Sequence, residues 1–496
     1  MLSLYLSATR KSSGKTTLSI GLCRALADQG WKVQAFKKGP DYIDPMWLGR
    51  ASRRPCINLD FNTMEQEELL QRHACYSQGA DIALIEGNKG LYDGLDLLGR
   101  DSNAELCRIL QAPVVLVIDA QGMTRGVAPL LMGYQQFDDS IEFAGVIFNR
   151  TGGGRHESKL REVTEHYTDF SVLGCIPNQH EDMVAERHLG LVTDLEIPWA
   201  DSYINRLATL VSDHVDMHRL VDDINPSRRN SNLDTQINCL RATNRPARSQ
   251  RYLRRLNALQ SCLSSFPLTI GIARDSAFCF YYQDDLDAMV EAGADIVEFN
   301  TLYDAQLPEV DGIFIGGGFP ETHAPALEAN STMRQSLRDF AGLGKPIYGE
   351  CGGLMYLSRS ISWANREYEM VGLIPADTVF HERPVGRGYV KMLMNAHHPW
   401  AGMSENDNGL RDSIQAHEFH YSSLENIEPD LSYGYQTLRG HGIDGKRDGL
   451  VVGNVVASYA HLRHSDRHPW VFDFIDQIYH SKRQRIELSS QSTVCH

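Results

Sequence analysis

The sequence predicts an α/β protein built from two sheet-bearing domains, and three observations carry that prediction. Short β-rich runs alternate with helix-compatible amphipathic segments through the first 195 residues, the pattern of a doubly wound, mostly parallel sheet. A basic, glycine-containing loop, Ser7-Ala8-Thr9-Arg10-Lys11-Ser12-Ser13-Gly14-Lys15-Thr16-Thr17, joins the first apolar run to the first helix-like segment. A polar stretch rich in Arg, Asn and Ser then interrupts the alternation, and a second α/β series follows it.

In chain order, residues 2–7, 33–37, 82–86, 114–119 and 143–149 read as buried parallel strands, with 16–29 and 102–111 as amphipathic helices between them. Residues 199–266 carry no strand signal and read as terminal helices plus a linker. The second series opens at 268–273 and continues through 296–299, 312–315 and 346–348. A strand at 451–457 precedes a helix over 470–480, and the stretch after Glu367 is β-rich. The predicted domains are therefore 1–198, a helical linker 199–266, a second domain 267–482 and a polar, disordered tail 483–496.

Composition excludes several classes. A length of 496 residues predicts two to four domains, and 42% apolar with 22% charged residues is ordinary for a globular chain. The formal charge of −15 argues against nucleic acid as main partner. No apolar run is long enough to cross a bilayer, and no cleavable leader is expected at the N-terminus. The 10 cysteines form no Cys-x-x-Cys pair, so neither a zinc site nor a disulfide framework follows, and a reducing cytoplasm is the expected compartment.

Gly14-Lys15-Thr16 has the mechanics of a phosphate loop. Backbone N–H groups at a helix start cradle phosphates, Lys15 reaches the β/γ oxygens, and the Thr16 hydroxyl can ligate Mg²⁺. Thr9 stands where the first glycine of the usual pattern would be. Lys37-Lys38-Gly39-Pro40-Asp41-Tyr42-Ile43-Asp44-Pro45 and Glu86-Gly87-Asn88-Lys89-Gly90-Leu91-Tyr92-Asp93-Gly94 each follow a strand, at the sheet edge where ligands of open α/β sheets bind. Glu86 suits a hard magnesium ion. Asp41 and Asp44 could instead be turn residues, and Lys37, Lys38 and Lys89 solvated surface charges.

In the second half, Gly349-Glu350-Cys351-Gly352-Gly353 lies between an apolar approach and a helix-compatible segment, the layout of a nucleophile elbow. Phe314-Ile315-Gly316-Gly317-Gly318 is a strand entering a glycine turn, a source of backbone N–H donors for an oxyanion. His461, His464, His417 and His420 compete as the base, and spacing does not choose among them.

These motifs, with Glu186-Arg187-His188-Leu189-Gly190-Leu191, His417-Glu418-Phe419-His420-Tyr421-Ser422 and Ala457-Ser458-Tyr459-Ala460-His461-Leu462, run collinearly along nearly the whole chain. Together they resemble the cobyrinate a,c-diamide synthase family, in which a dethiobiotin-synthetase-like ATP domain is fused to a class I glutamine amidotransferase domain. The resemblance implies ATP, L-glutamine and a tetrapyrrole polycarboxylate as substrates, with Mg²⁺ as cofactor and ligase activity on the a and c carboxylates. It implies Cys351 and His461 as the catalytic pair, and Gly317, Gly318 and Gly352 at the oxyanion. It implies Ser13, Gly14, Lys15, Thr16, Thr17, Lys38 and Asn149 at ATP, and Asp41, Tyr42, Asp44, Tyr92 and Asp93 at the acceptor. Thr16, Asp44 and Glu86 would hold the metal. A homodimer is the expected assembly.

The chain departs from that pattern in two ways. The class I His-x-Glu is here His461-Leu462-Arg463, so the group orienting the histidine is unidentified. The loop Arg10-Lys11-Ser12-Ser13 and the extra Lys89 resemble instead a branch of the family that amidates sirohaem for dissimilatory sulfite reduction. Two further readings stand beside these: a partition-type ATPase with a degenerate second domain, and a nucleotide amidotransferase of the CTP synthase kind.

Overall fold

The computed structural model describes residues 1–178, 186–187, 190–225, 248–402 and 413–494. His188, Leu189, Cys239 and most of the polar stretch therefore lie outside the described residues. The chain divides into two compact units, Met1–Ala247 and Arg248–His496.

The first unit is a seven-stranded sheet in the order β3-β2-β4-β1-β5-β6-β7. Its strands are β1 (Leu2–Ala8), β2 (Val33–Lys38), β3 (Ile57–Leu59), β4 (Ile82–Glu86), β5 (Val114–Asp119), β6 (Phe143–Thr151) and β7 (Val172–Pro177), all parallel. Tyr5, Ile85, Leu116 and Phe148 are fully buried in its core, the continuous apolar character that a sheet covered on both faces demands. The strand order reverses at β1, so the C-terminal ends of β1, β2 and β4 lie beside one another, and all the phosphate-site motifs sit there. The sequence reading missed β3 and β7, each too short or too mixed to stand out.

Residues 200–225 belong to this unit rather than to a linker. The helices Ala200–His214 and Met217–Asp223 follow the sheet, and the first packs on α1 (Lys15–Asp28). At that crossing a Cβ on Gly21 would meet the Leu207 carbonyl at 2.7 Å, so only glycine permits the approach. Glu186–Arg187 and Gly190–Leu191 pair as a small antiparallel hairpin.

The second unit carries a nine-stranded mixed sheet, introduced here in spatial order. Strands Asp295–Phe299, Thr269–Ala273, Gly312–Ile315, Ile347–Glu350 and Val455–Ser458 are parallel. Arg447–Val452, Ser432–Arg439, Gly386–Met394 and Ile414–His420 extend it antiparallel. Residues 451–457 are thus not one strand but the two arms of a hairpin, turning at Gly453, whose φ is 58°. A separate four-stranded sheet is formed by Ser358–Trp363, Arg366–Glu369, Ile374–Phe380 and Ser422–Glu425, which accounts for the β-rich stretch after Glu367.

Two boundary expectations are corrected. The helix Gln250–Ser265 packs Tyr252, Leu256, Leu259 and Leu263 into the core of the second unit, so that unit begins at Arg248. The helix opening at Trp470 runs to Val494, where the sequence had predicted a disordered tail. Its buried stripe, with Phe474, Ile475 and Ile478, ends well before its C-terminus, so apolar periodicity gave no sign of the later turns.

Candidate active sites

The phosphate loop folds as its residues dictate. Gly14 caps α1 at φ 86° and lies so close to Asn149 that a Cβ there would meet its Nδ2 at 2.2 Å. Asn149, at the end of β6, donates to the Ser13 carbonyl at 2.9 Å, and the Ser13 hydroxyl donates to the Arg10 carbonyl at 3.0 Å. Thr17 follows in the first turn of α1. Lys15 Nζ donates to the Lys89 carbonyl at 2.6 Å. Burial pulls this lysine down to about 8, with Glu86 opposing and Lys37 adding to the fall.

Thr16, Asp44 and Glu86 come together as expected. Thr16 Oγ1 lies 2.9 Å from Glu86 Oε1 and 3.2 Å from Asp44 Oδ2. The sequence reading missed the centre of this cluster: Lys37 is buried, bonded to Asp44, 2.6 Å from Glu86 Oε1 and 3.7 Å from Asp41 Oδ2. Burial would push its charge off, but the three carboxylates outweigh that and hold its pKa well above the ordinary lysine value. Burial pushes Asp44 up, yet the Lys37 ammonium overrides it and leaves Asp44 below the ordinary range. Asp41 is raised to about 7 by burial and by Asp44, and its Oδ1 accepts from the Asp44 N–H at 3.1 Å. The solvated-surface reading of Lys37 and Lys38 is corrected, since both end a strand buried on both faces.

Other expected residues are near but differently engaged. Lys38 Nζ donates to the Asp101 carbonyl at 2.7 Å and lies over the Phe61 ring, and burial lowers it to about 8. Tyr42 is buried at the N-terminus of the helix Ile43–Ser52. Asp93 accepts from the Gly90 N–H at 2.9 Å, and Tyr92 donates to the Tyr134 carbonyl at 2.7 Å with its ring against Phe137. Arg10 pairs with Asp119 at 2.7 Å, and Arg150 joins the same carboxylate at 3.0 Å.

In the second unit Cys351 stands between the strand Ile347–Glu350 and the helix Gly352–Leu357 with φ 48° and ψ −96°, a strained turn in a non-glycine residue. Its N–H donates to the Ser458 carbonyl at 2.7 Å. Small residues surround it because no larger ones fit. A Cβ on Gly353 would meet the Ile315 carbonyl at 2.2 Å, one on Gly352 would lie 3.0 Å from the Gly318 nitrogen, and one on Gly317 would meet His461 Cε1 at 2.6 Å. The glycine turn and the cysteine turn are therefore in direct apposition, with His461 on the same site.

The His461 ring is in hydrogen-bonding reach of the Cys351 side chain, and its Nδ1 lies 3.6 Å from Glu350 Oε2. Burial alone would lower this imidazole; Cys351 and Glu350 outweigh it and hold it at about 10. His417 stacks on His461 at 4.8 Å, with burial and that neighbour pushing its own pKa well down. His420 stacks on Tyr459, and His464 is bonded to Tyr252 at 2.9 Å. Glu350 stood in the quoted motif without a role. The only signal for it was a charged residue ending an apolar strand.

The chain is similar to known proteins over almost its whole length. Residues 6–191 match the CobQ/CobB/MinD/ParA nucleotide binding domain, and residues 269–469 match the CobB/CobQ-like glutamine amidotransferase domain. The cobyrinate a,c-diamide synthase of Magnetococcus marinus is 40% identical over 94% of this chain and 95% of that protein. The enzyme of that name from Methanosarcina acetivorans is 39% identical over 92% of each, and the one from Archaeoglobus fulgidus 36% over 92% and 93%. The chain belongs to the cobyrinate a,c-diamide synthase family of ATP-dependent, glutamine-hydrolysing amidating ligases.

Proposed function

We propose that this chain converts the a and c side-chain carboxylates of a tetrapyrrole to amides, using ATP and the ammonia of glutamine. The observation that supports the reading is the occurrence, in one family-member chain, of the Lys15–Thr16–Asp44–Glu86 cluster and of Cys351 within reach of His461. The partition-ATPase reading requires a degenerate second site, and Cys351 and His461 are within reach of each other.

In the second unit the Cys351 thiolate, paired with the protonated His461, attacks the glutamine carbonyl. The oxyanion forms beside the N–H groups of the 317–318 turn and Gly352, and His461 gives its proton to the departing ammonia. Water then releases glutamate from the thioester. In the first unit the acceptor carboxylate attacks the γ-phosphoryl of ATP held by the Gly14–Thr17 loop, ADP leaves, and ammonia then displaces phosphate from the acyl phosphate to give the amide. Lys15 and Lys38 offset the phosphate charge, Asn149 braces the loop, and Asp41, Tyr42, Tyr92 and Asp93 position the acceptor. Thr16, Asp44 and Glu86 form an all-oxygen set in which the two carboxylates already hold a cation, the Lys37 ammonium, and so fit Mg²⁺, which would neutralise charge on the transferring phosphoryl.

A homodimer in the cytoplasm, with neither nucleic acid nor membrane as partner, completes the proposal. Among the described residues no helix is long and apolar enough to cross a membrane.

The deciding experiment is ATP- and glutamine-dependent turnover on cobyrinic acid and on sirohaem in parallel, read by mass. Replacement of OH by NH₂ on cobyrinic acid supports the proposal, and replacement on sirohaem alone moves the chain to the sulfite-reduction branch. Arg10, one of the cations behind that second reading, is largely exposed and pairs with Asp119 at 2.7 Å. Glutamine consumed only with some other acceptor would sink the tetrapyrrole assignment.

A further inference from the structure

The class I pattern places an acid two residues after the catalytic histidine, and here that position is Arg463. Its guanidinium is buried and turned away, bonded to Asp284 at 2.9 Å. A buried imidazole that gains a proton requires a counter-charge and a fixed tautomer, and a cation at position 463 supplies neither.

We propose that Glu350, the residue immediately before the nucleophile, is the positioning carboxylate of His461. The inference rests on the reading of Cys351 and His461 as the glutaminase pair. Sheet register brings the two segments together: the strand Ile347–Glu350 runs parallel to Val455–Ser458, with Glu350 opposite Ser458. His461 lies just beyond that partner, so the carboxylate and the ring approach across one strand gap.

The carboxylate is held from three directions. Its Oε1 accepts from the Tyr348 hydroxyl at 2.9 Å and from the Leu462 N–H, also at 2.9 Å. Its Oε2 faces His461 Nδ1 at 3.6 Å. The Leu462 bond matters most, since it ties the residue after the histidine to the residue before the cysteine. One side chain thereby fixes the loop and faces the ring. With Nδ1 toward Glu350, Nε2 is the nitrogen left to exchange a proton with the Cys351 sulfur.

Neighbouring groups do not offer the same service. His417 stacks on the ring at 4.8 Å and its Nδ1 lies 3.3 Å from the Tyr282 hydroxyl; protonated, it would repel His461. Arg463 is bonded to Asp284 at 2.9 Å and lies over the Tyr282 ring, and Asp285 accepts from the His464 N–H at 2.7 Å. Tyr459 is stacked on His420 and bonded to Ser422. The high value of His461, about 10, is what a carboxylate at Nδ1 produces together with the cysteine.

The test is glutamine hydrolysis by the full chain and by Glu350→Gln and Glu350→Asp, with kcat and KM followed across the alkaline range. In the parent the alkaline limb of kcat/KM should report loss of the His461 proton near pH 10. Glu350→Gln should lower kcat about 10- to 100-fold with little change in KM, and move that limb to lower pH. Glu350→Asp, which keeps the charge, should recover part of both. A purely structural role for Glu350 would lower activity without moving the limb, and that result overturns the proposal. So does a Glu350→Gln enzyme with unchanged kcat. Should Glu350→Gln not fold, Glu350→Asp decides: a parent kcat with an unmoved alkaline limb overturns the role. Hydrolysis that survives Cys351→Ala would sink the glutaminase reading itself. Hydrolysis lost in Cys351→Ala but unaltered in Glu350→Gln would sink only the role of Glu350.

Discussion

Lys37 Nζ lies 2.6 Å from Glu86 Oε1, and the two residues are register partners at the ends of adjacent parallel strands. The carboxylate that would meet magnesium is thus held ready by a lysine buried from solvent. Removing its charge while keeping its shape should cripple the ATP site without unfolding it, because Asp44 still neutralises Lys37. Glu86→Gln is expected to lower ATP-dependent amidation by about 10²-fold or more. Glutamine hydrolysis, which belongs to the other unit, should persist. Comparable loss of both activities would argue against a phosphoryl-transfer role for Glu86.

Cys351→Ala separates the two sites in the opposite sense. The variant should lose glutamine-dependent amidation and keep amidation with free ammonia, since the acyl phosphate is made elsewhere. A steady-state assay with each nitrogen source decides it. If ammonia also fails, Cys351 is structural, consistent with its burial, or serves the ATP chemistry.

What was legible in the sequence follows from where each signal lives. Gly14, Lys15 and Thr16 are local: a turn needing positive φ and two contacts dictated by neighbours in sequence, so the motif and the geometry coincide. The Cys351 elbow is local in the same way. Lys37 was placed at the ligand edge without a role of its own, because a lysine at a strand end can equally be solvated, and only the register with Glu86 and the turn carrying Asp44 reveals a buried cation among carboxylates. Spacing alone left His461 and His464 level and the family resemblance chose His461; the contact that engages His464, with Tyr252 on the helix Gln250–Ser265, joins residues 212 apart in the chain. Glu350 was hidden for a related reason: the expected acid was sought after the histidine, while the sheet supplies one from the preceding strand. The extension of the last helix to Val494 had no apolar stripe to announce it.

Gly317→Ala tests the apposition of the two turns. A methyl there would sit 2.6 Å from His461 Cε1 and 3.3 Å from the Phe280 ring. The imidazole is the softer neighbour, so the substitution should displace it from Cys351 rather than unfold the sheet. A drop of about 10²-fold in glutamine hydrolysis is expected, with ammonia-dependent amidation and thermal stability nearly unchanged. Hydrolysis at the parent rate would mean that the ring is not held where it is drawn.

The last prediction concerns pH and the phosphate loop. Burial, opposed by Glu86, brings Lys15 down to about 8, and burial does the same to Lys38. A depressed lysine means that the unfolded chain binds more protons between about pH 8 and the ordinary lysine value, so without nucleotide the first unit should gain stability as pH rises through that window. Nucleotide phosphates favour the charged ammonium and reverse the balance. Binding of ATP should therefore take up protons, and affinity should fall as pH rises above about 8, by up to tenfold per unit for each lysine that must be recharged. Titration calorimetry at pH values on either side of 8, in two buffers of different ionisation enthalpy, measures both the affinity and the proton count. An affinity that is flat across that range, with no proton uptake, would show that neither lysine charges on meeting the phosphates.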